Sequence, residues 1–264
     1  MRYILSKPRC CFFKRHYGMS LALLLCVGLA LRLVFCYYAF VLERDSVTYI
    51  SVSQKICSGD FSALSTVYSP PLYFLLMAGI SKIFCIPAWI VGLGISLFAG
   101  VGTALLGEMI CRKITGRRTI AFCAAILLLT NPALFKISCS ILRDSLYLLL
   151  SFACFRLFAE WIDISRQWLI SFLGGICCGA GIVTRFEGIE LLILALVFSG
   201  ALFFSRKCGI AERSKIILGN LISYLFGAAT IILSVFMISA KFQYPVSRVF
   251  LYRYCSFFAK IFWP

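Results

Sequence analysis

Charge is the first shortage in this sequence, since only 14% of its 264 residues are charged and 10 acidic side chains face 26 basic ones. Water-soluble globules carry about 25% charged and about 45–50% apolar residues. A chain that is 62% apolar falls outside that class. Histidine is nearly absent: His16 is the only one, and it sits in a basic flank. A His-rich metal cluster and a His-based nucleophile constellation are therefore excluded. No Walker-type glycine loop, internal repeat or low-complexity stretch occurs. Nor is any polar stretch long enough for a large soluble domain, which confines chemistry to short loops and span ends.

What the sequence does have is apolar runs recurring from Gly18 to Ala240 and a mean hydropathy of +0.97. A membrane-crossing helix takes about 20 such residues, so the pattern predicts an all-α polytopic membrane protein. Seven spans are expected, near 18–42, 88–110, 119–135, 145–161, 168–184, 188–205 and 216–240. The first run is too long for a signal-peptide core and no small-residue cleavage site follows it, so it reads as a retained helix. Ahead of it stand Arg2, Lys7, Arg9, Lys14 and Arg15, which place the N-terminus in the cytoplasm. The short piece 71–84 poses a choice. If it crossed, Arg112, Lys113, Arg117 and Arg118 would lie outside, so it is expected to rest at the interface. The chain thus divides into a basic flank (1–17), a transmembrane module (18–240) with its first outer loop at 43–70, and an aromatic and basic tail (241–264).

The net charge of +16 does not point to nucleic acid, because the basic residues fall between apolar runs, where they set topology. Most of the 14 cysteines, among them Cys26, Cys36, Cys123, Cys154, Cys177 and Cys178, lie inside those runs and behave as small hydrophobes. Cys57 and Cys139 fall in loops that could meet an oxidising compartment, but no disulfide framework follows from the sequence.

Acids are few enough for their positions to matter. Glu43, Asp45 and Asp60 lie in the first outer loop, Asp144 at the outer start of the fourth span, and Glu187 beside Arg185 at the outer end of the fifth. Acids and arginines from three hairpins therefore meet one membrane face. A carboxylate partly removed from water can act as general base or bind a divalent ion, and a nearby arginine can hold a phosphate through paired hydrogen bonds. That combination suits transfer from a phosphate-activated donor. Arg32, inside the first span, costs about 2.5–3.5 kcal/mol on insertion scales unless paired, and is expected to snorkel or to meet an outer-side acid.

These residues carry a resemblance. Arg32, then Arg44-Asp45-Ser46-Val47-Thr48-Tyr49-Ile50, Cys57-Ser58-Gly59-Asp60-Phe61 and Tyr68-Ser69-Pro70-Pro71-Leu72-Tyr73-Phe74 follow one another in order. Asn131-Pro132, Ile141-Leu142-Arg143-Asp144-Ser145-Leu146-Tyr147, and the glycines Gly174, Gly175, Gly179 and Gly181 before Thr184-Arg185-Phe186-Glu187-Gly188 complete the series. The pattern, over roughly residues 20 to 205, resembles membrane glycosyltransferases of the GT-C fold. It is most similar to the dolichyl-phosphate-mannose protein mannosyltransferases and to the bacterial aminoarabinose transferases that modify lipid A.

The resemblance implies an inverting transferase. The sugar would pass from a polyprenyl-phosphate donor to a glycan, lipid or protein acceptor at the outer or lumenal face of a bacterial cytoplasmic or endoplasmic reticulum membrane. Asp45 would then be the general base, while Asp144 would orient the acceptor or a divalent ion, the one cofactor in view. Arg185 and Arg143 would hold the donor phosphate. Tyr49, Tyr73 and Glu187 would shape the acceptor side of the loop, with Tyr73 alternatively an interfacial anchor. The place after Asp45 is often a second acid in that family and is Ser46 here, so no acid pair carries over. Relatives of that kind also continue with further spans and an outer domain, which leaves a truncated reading frame, a short member and an inactive one as alternatives. Two other classes stay open: a noncatalytic subunit of a glycosylation system, and a small-molecule transporter.

Overall fold

A computed structural model describes residues 16–39, 42–66, 69–161, 168–205 and 210–241. The expectations for the basic flank before His16 and for the tail after Lys241 lie outside the described residues. These residues form ten α-helices and two short 3-10 turns, with no strand among them. The helices are α1 (Tyr17–Ala39), α2 (Arg44–Cys57), α3 (Leu72–Phe84), α4 (Ala88–Thr115), α5 (Arg118–Thr130), α6 (Pro132–Ser138), α7 (Arg143–Trp161), α8 (Trp168–Thr184), α9 (Glu190–Ser205) and α10 (Ile210–Lys241).

Three helices are long and apolar enough to cross a membrane, over Tyr17–Tyr38, Ala88–Thr115 and Ser214–Val235, and a fourth crossing results if α5 and α6 count as one. Length and composition of the described helices thus do not by themselves confirm the seven expected spans. A bilayer core is about 30 Å thick and a helix rises about 1.5 Å per residue. The 13 residues of α5, the 17 of α8 and the 16 of α9 therefore fall short, at about 20, 26 and 24 Å. Although α7 has 19 residues, it carries Arg143, Asp144, Arg156 and Glu160. The long first helix turns Met19, Leu23, Val27 and Leu31 outward, the exposure expected when the surrounding solvent is lipid. The protein is an all-α integral membrane protein.

The expected span at 119–135 is bent, and its sequence explains why. Asn131-Pro132 breaks the path by 61° between α5 and α6. Pro132 has no N–H to continue the ladder, and the Asn131 side chain accepts from Ala133 N at 3.0 Å and Leu134 N at 3.1 Å, capping α6. Redirecting the Ala133 N–H leaves the Leu129 carbonyl without its helical donor.

Arg32 supplies one. It is 1% exposed and donates from Nη2 to Leu129 O at 3.2 Å, from Nε to Ser138 Oγ at 2.8 Å and from Nη1 to Gly28 O at 3.0 Å. The guanidinium also lies 4.8 Å from the centre of the Phe135 ring. Neither snorkelling nor an outer acid is involved, so that expectation is corrected: the proline break created acceptors inside the bundle. The approach requires Gly100 on α4, where a Cβ would fall 2.3 Å from the Ser138 Cβ.

At the other side of the bundle α8 packs closely on α10. A Cβ on Gly175 would meet the Tyr224 carbonyl oxygen at 2.0 Å, and one on Gly179 would meet Ala228 O at 2.6 Å. Glycines four apart on one face let two helix backbones touch, the usual device where lipid offers no hydrophobic drive to pair helices. Gly175→Val should cost about 1–3 kcal/mol by overpacking and lower the unfolding midpoint in detergent. Gly94→Ala, where nothing lies within 4 Å, should leave that midpoint unchanged.

Candidate active site

The helices run so that the starts of α2, α4 and α7 and the ends of α1, α6 and α8 share one end of the bundle. The amphipathic α2 covers that end. Its buried residues Ser46, Tyr49, Val52, Ser53 and Ile56 fall on one face at helical spacing, and the two buried serines are satisfied across elements. Ser46 Oγ donates to Ile141 O at 3.1 Å and Ser53 Oγ to Phe74 O at 3.4 Å. The position that resembles a second acid in relatives is thus a buried clamp in this chain.

Tyr73 must be corrected. It is fully buried, donates to Gly92 O at 3.1 Å, pairs with Ser96 Oγ at 3.2 Å and meets the Tyr49 ring edge to face at 5.6 Å. Neither an acceptor path nor a membrane anchor fits, because α3 turns this face onto α2 and α4. Tyr49 is also buried, yet its hydroxyl bonds Ser69 and feels Asp45, Arg143 and Arg185. Burial pushes this phenol above its ordinary value, with Asp45 adding to the rise against the two arginines, so Tyr49 stays a neutral hydroxyl.

Arg143 and Asp144 open α7 and point different ways. Arg143 Nη1 donates to the buried Ser69; among the described residues no carboxylate pairs with it. Asp144 instead receives Arg185 Nη1, while Arg185 Nε donates to Glu187 Oε2 at 3.1 Å. After α8 the backbone is extended at Arg185 and turns at once into the 3-10 segment Phe186–Ile189, which throws the guanidinium back over the Tyr147 ring at 5.9 Å. Asp144 and Glu187 are therefore held by one arginine. Asp45, one helical turn before Tyr49, is exposed and in no ion pair among the described residues.

A divalent ion at Asp144 does not fit these residues. Arg185 already neutralises that carboxylate, and among the described residues no group of three or more His, Cys, Asp or Glu side chains could hold a metal ion. Asp60, at the far end of the first loop, accepts from Ser62 N at 3.1 Å and also from the Ser62 hydroxyl; these bonds hold its pKa below the ordinary value.

The family model described as dolichyl-phosphate-mannose-protein mannosyltransferase matches residues 66–240. The chain belongs to that family. No curated protein and no solved structure matches it. Membership supports a membrane glycosyltransferase of the mannosyltransferase type. Ser69, Arg143, Asp144, Arg185 and Glu187 lie inside the matched stretch, whereas Asp45 and Tyr49 precede it.

Two residues escaped the sequence reading. Ser69 was visible only as part of the Pro-Pro motif, and its role as a bridge between Arg143 and Tyr49 needs the folded loop. Glu108, fully buried on α4 at the opposite end, binds the Tyr17 hydroxyl at 2.5 Å and Arg112 Nε at 3.4 Å. Its main partner lies 91 positions away, so no local spacing announces it.

Glu187 offers a pH test. Burial raises its pKa, but its own backbone N–H, Arg185 and, least, the charge of Arg143 outweigh that and hold it below the ordinary glutamate value. A depressed folded pKa stabilises above the unfolded value of about 4.3 and loses that stabilisation as pH falls through the folded pKa. The difference in unfolding midpoint between wild type and Glu187→Gln should therefore be full at pH 7 and shrink as pH drops below about 4.

Proposed function

We propose that the protein is an inverting glycosyltransferase that moves a sugar from a polyprenyl-phosphate donor to an acceptor hydroxyl at the end of the bundle bearing Asp45 and Arg143. The observation that carries this reading is the division of charge there. Asp144 and Glu187 are paired with Arg185, while Asp45 and Arg143, which face each other across Tyr49, are in no ion pair among the described residues. A base without a counterion and a cation without a carboxylate are what transfer from a lipid phosphate requires.

In this mechanism Asp45 removes the proton from the acceptor hydroxyl as its oxygen attacks the anomeric carbon. The new carbon–oxygen bond forms while the bond to the phosphate oxygen breaks, and the electron pair leaves with the lipid phosphate. Arg143 receives the growing charge on that phosphate through charge-assisted hydrogen bonds. The serine and phenol hydroxyls of Ser69 and Tyr49 hold Arg143 in place. The Asp144–Arg185–Glu187 trio braces α7 against the end of α8, so that the first turn of α7 presents Arg143 in one direction. The acceptor side is the outer or lumenal one, following the basic N-terminal flank.

Shorter crossings by α7, α8 and α9 agree with this layout. Asp144 meets Arg185 at one end, and Lys113 meets Glu160 at 3.1 Å at the other. Helices α4 and α7 therefore run side by side in the same direction, as the alternating seven-crossing order demands.

Asp45→Asn keeps shape but removes the proton acceptor, and should lower transfer by about 10²–10⁴-fold in a lipid-linked sugar assay. Asp60→Asn, changed in the turn, should transfer at the wild-type rate; an unaffected Asp45 variant would defeat the assignment. Arg143→Gln should lower kcat/KM for the donor by about 10–100-fold, the worth of a hydrogen bond to a charged group. Orientation is read separately: Ser58→Cys in a background without other cysteines should react with a membrane-impermeant maleimide in intact cells or sealed lumen-out vesicles.

A further inference from the structure

We propose that Cys36 and Cys139 form a disulfide that staples α1 to the turn after α6. The Cys36 thiol donates to Cys139 O at 3.6 Å, and the Cys139 thiol reaches Arg32 O at 3.9 Å. Residues 32 and 36 are one turn apart on α1, so both sulfurs occupy the same small patch of that helix. Both are buried, against Leu97 and with Leu29, Leu93 and Phe135 around them. The other buried thiols differ. Cys154 lies 3.4 Å from the Tyr224 hydroxyl, and Cys178 is buried in the same cluster around that ring.

This staple lies near the end of the bundle that carries Asp45, and the proposal rests on that end facing an oxidising compartment, as the functional reading holds. The chemistry is thiol–disulfide exchange with a disulfide-bearing oxidant, either an oxidoreductase or a small-molecule disulfide. One thiolate attacks the oxidant to give a mixed disulfide, and the second thiolate displaces the oxidant's remaining thiol. Two protein thiols thus lose two protons and two electrons, and one oxidant disulfide becomes two thiols. Because both sulfurs are buried in the fold, exchange takes place as α1 and the α6 turn first meet, before packing closes over them. The bond closes a loop of about 100 residues, a length at which the restriction of the unfolded chain is large.

Free thiols of the full-length protein in native membranes are trapped with N-ethylmaleimide during denaturation, and non-reduced peptides are mapped by mass spectrometry. A peptide pair joined through Cys36 and Cys139, released by dithiothreitol, is expected. Cys139→Ser should then convert Cys36 to the alkylated form. Dithiothreitol should lower the unfolding midpoint of the wild type and leave that of the double variant Cys36→Ser, Cys139→Ser unmoved. Recovery of both residues fully alkylated without reductant, or joined to other cysteines, overturns the proposal. The Ser58→Cys labelling separates the causes. If that site is labelled from outside while the pair is alkylated, the staple alone fails; if it is shielded, the orientation fails and the staple with it.

Discussion

Arg32 holds three acceptors inside an apolar bundle, and much of the packing on its side of the molecule follows from that constraint. Inserting a basic side chain at this depth costs about 2.5–3.5 kcal/mol, while each hydrogen bond to a charged group returns about 1.5–3 kcal/mol. Three such bonds and a ring face outweigh the insertion cost with a margin that shrinks with each acceptor lost. The break at Asn131-Pro132 provides one by freeing Leu129 O, Ser138 provides the second, and the α1 backbone the third. Helices α1, α4, α5 and α6 therefore meet at one point, with Gly100 admitting Ser138.

The end of the bundle that carries Asp45 obeys a different economy, in which charges neutralise one another in unequal groups. Arg185 takes two carboxylates, and Arg143 takes none among the described residues. Because Arg143 and Asp144 are neighbours in sequence, they read as one local ion pair. The helix separates them: Arg143 reaches across to the first loop and Asp144 reaches to the end of α8. Family membership reaches this end of the molecule through α7 and α8, and α2 is brought to it by packing.

The class of the molecule was legible from composition alone, and the residues that gather at one end of the bundle were legible from the scarcity of acids. Arg32 stood out as a charge needing a partner, but the partner was a carbonyl exposed by a proline 100 positions away in sequence, and spacing rules carry no such information. Tyr73 misled for a related reason. An aromatic beside Pro-Pro looks interfacial, yet its exposure depends on which face α3 turns toward α4. The number of spans was legible only coarsely, since hydropathy marks where a chain is apolar and says little about where a helix bends, as at Asn131-Pro132. The glycines before Arg185 belonged to a family pattern on the page; their physical reason, the contact of α8 with α10, required the backbone.

The hydrogen bond from Ser46 to Ile141 joins the first loop to the residue two places ahead of Arg143. A hydroxyl that bridges two elements in this way makes them one lever. Under the proposed mechanism, an acceptor pressing on α2 beside Asp45 would pass its displacement through the Ile141 carbonyl to the first turn of α7, where the Arg143 guanidinium sits.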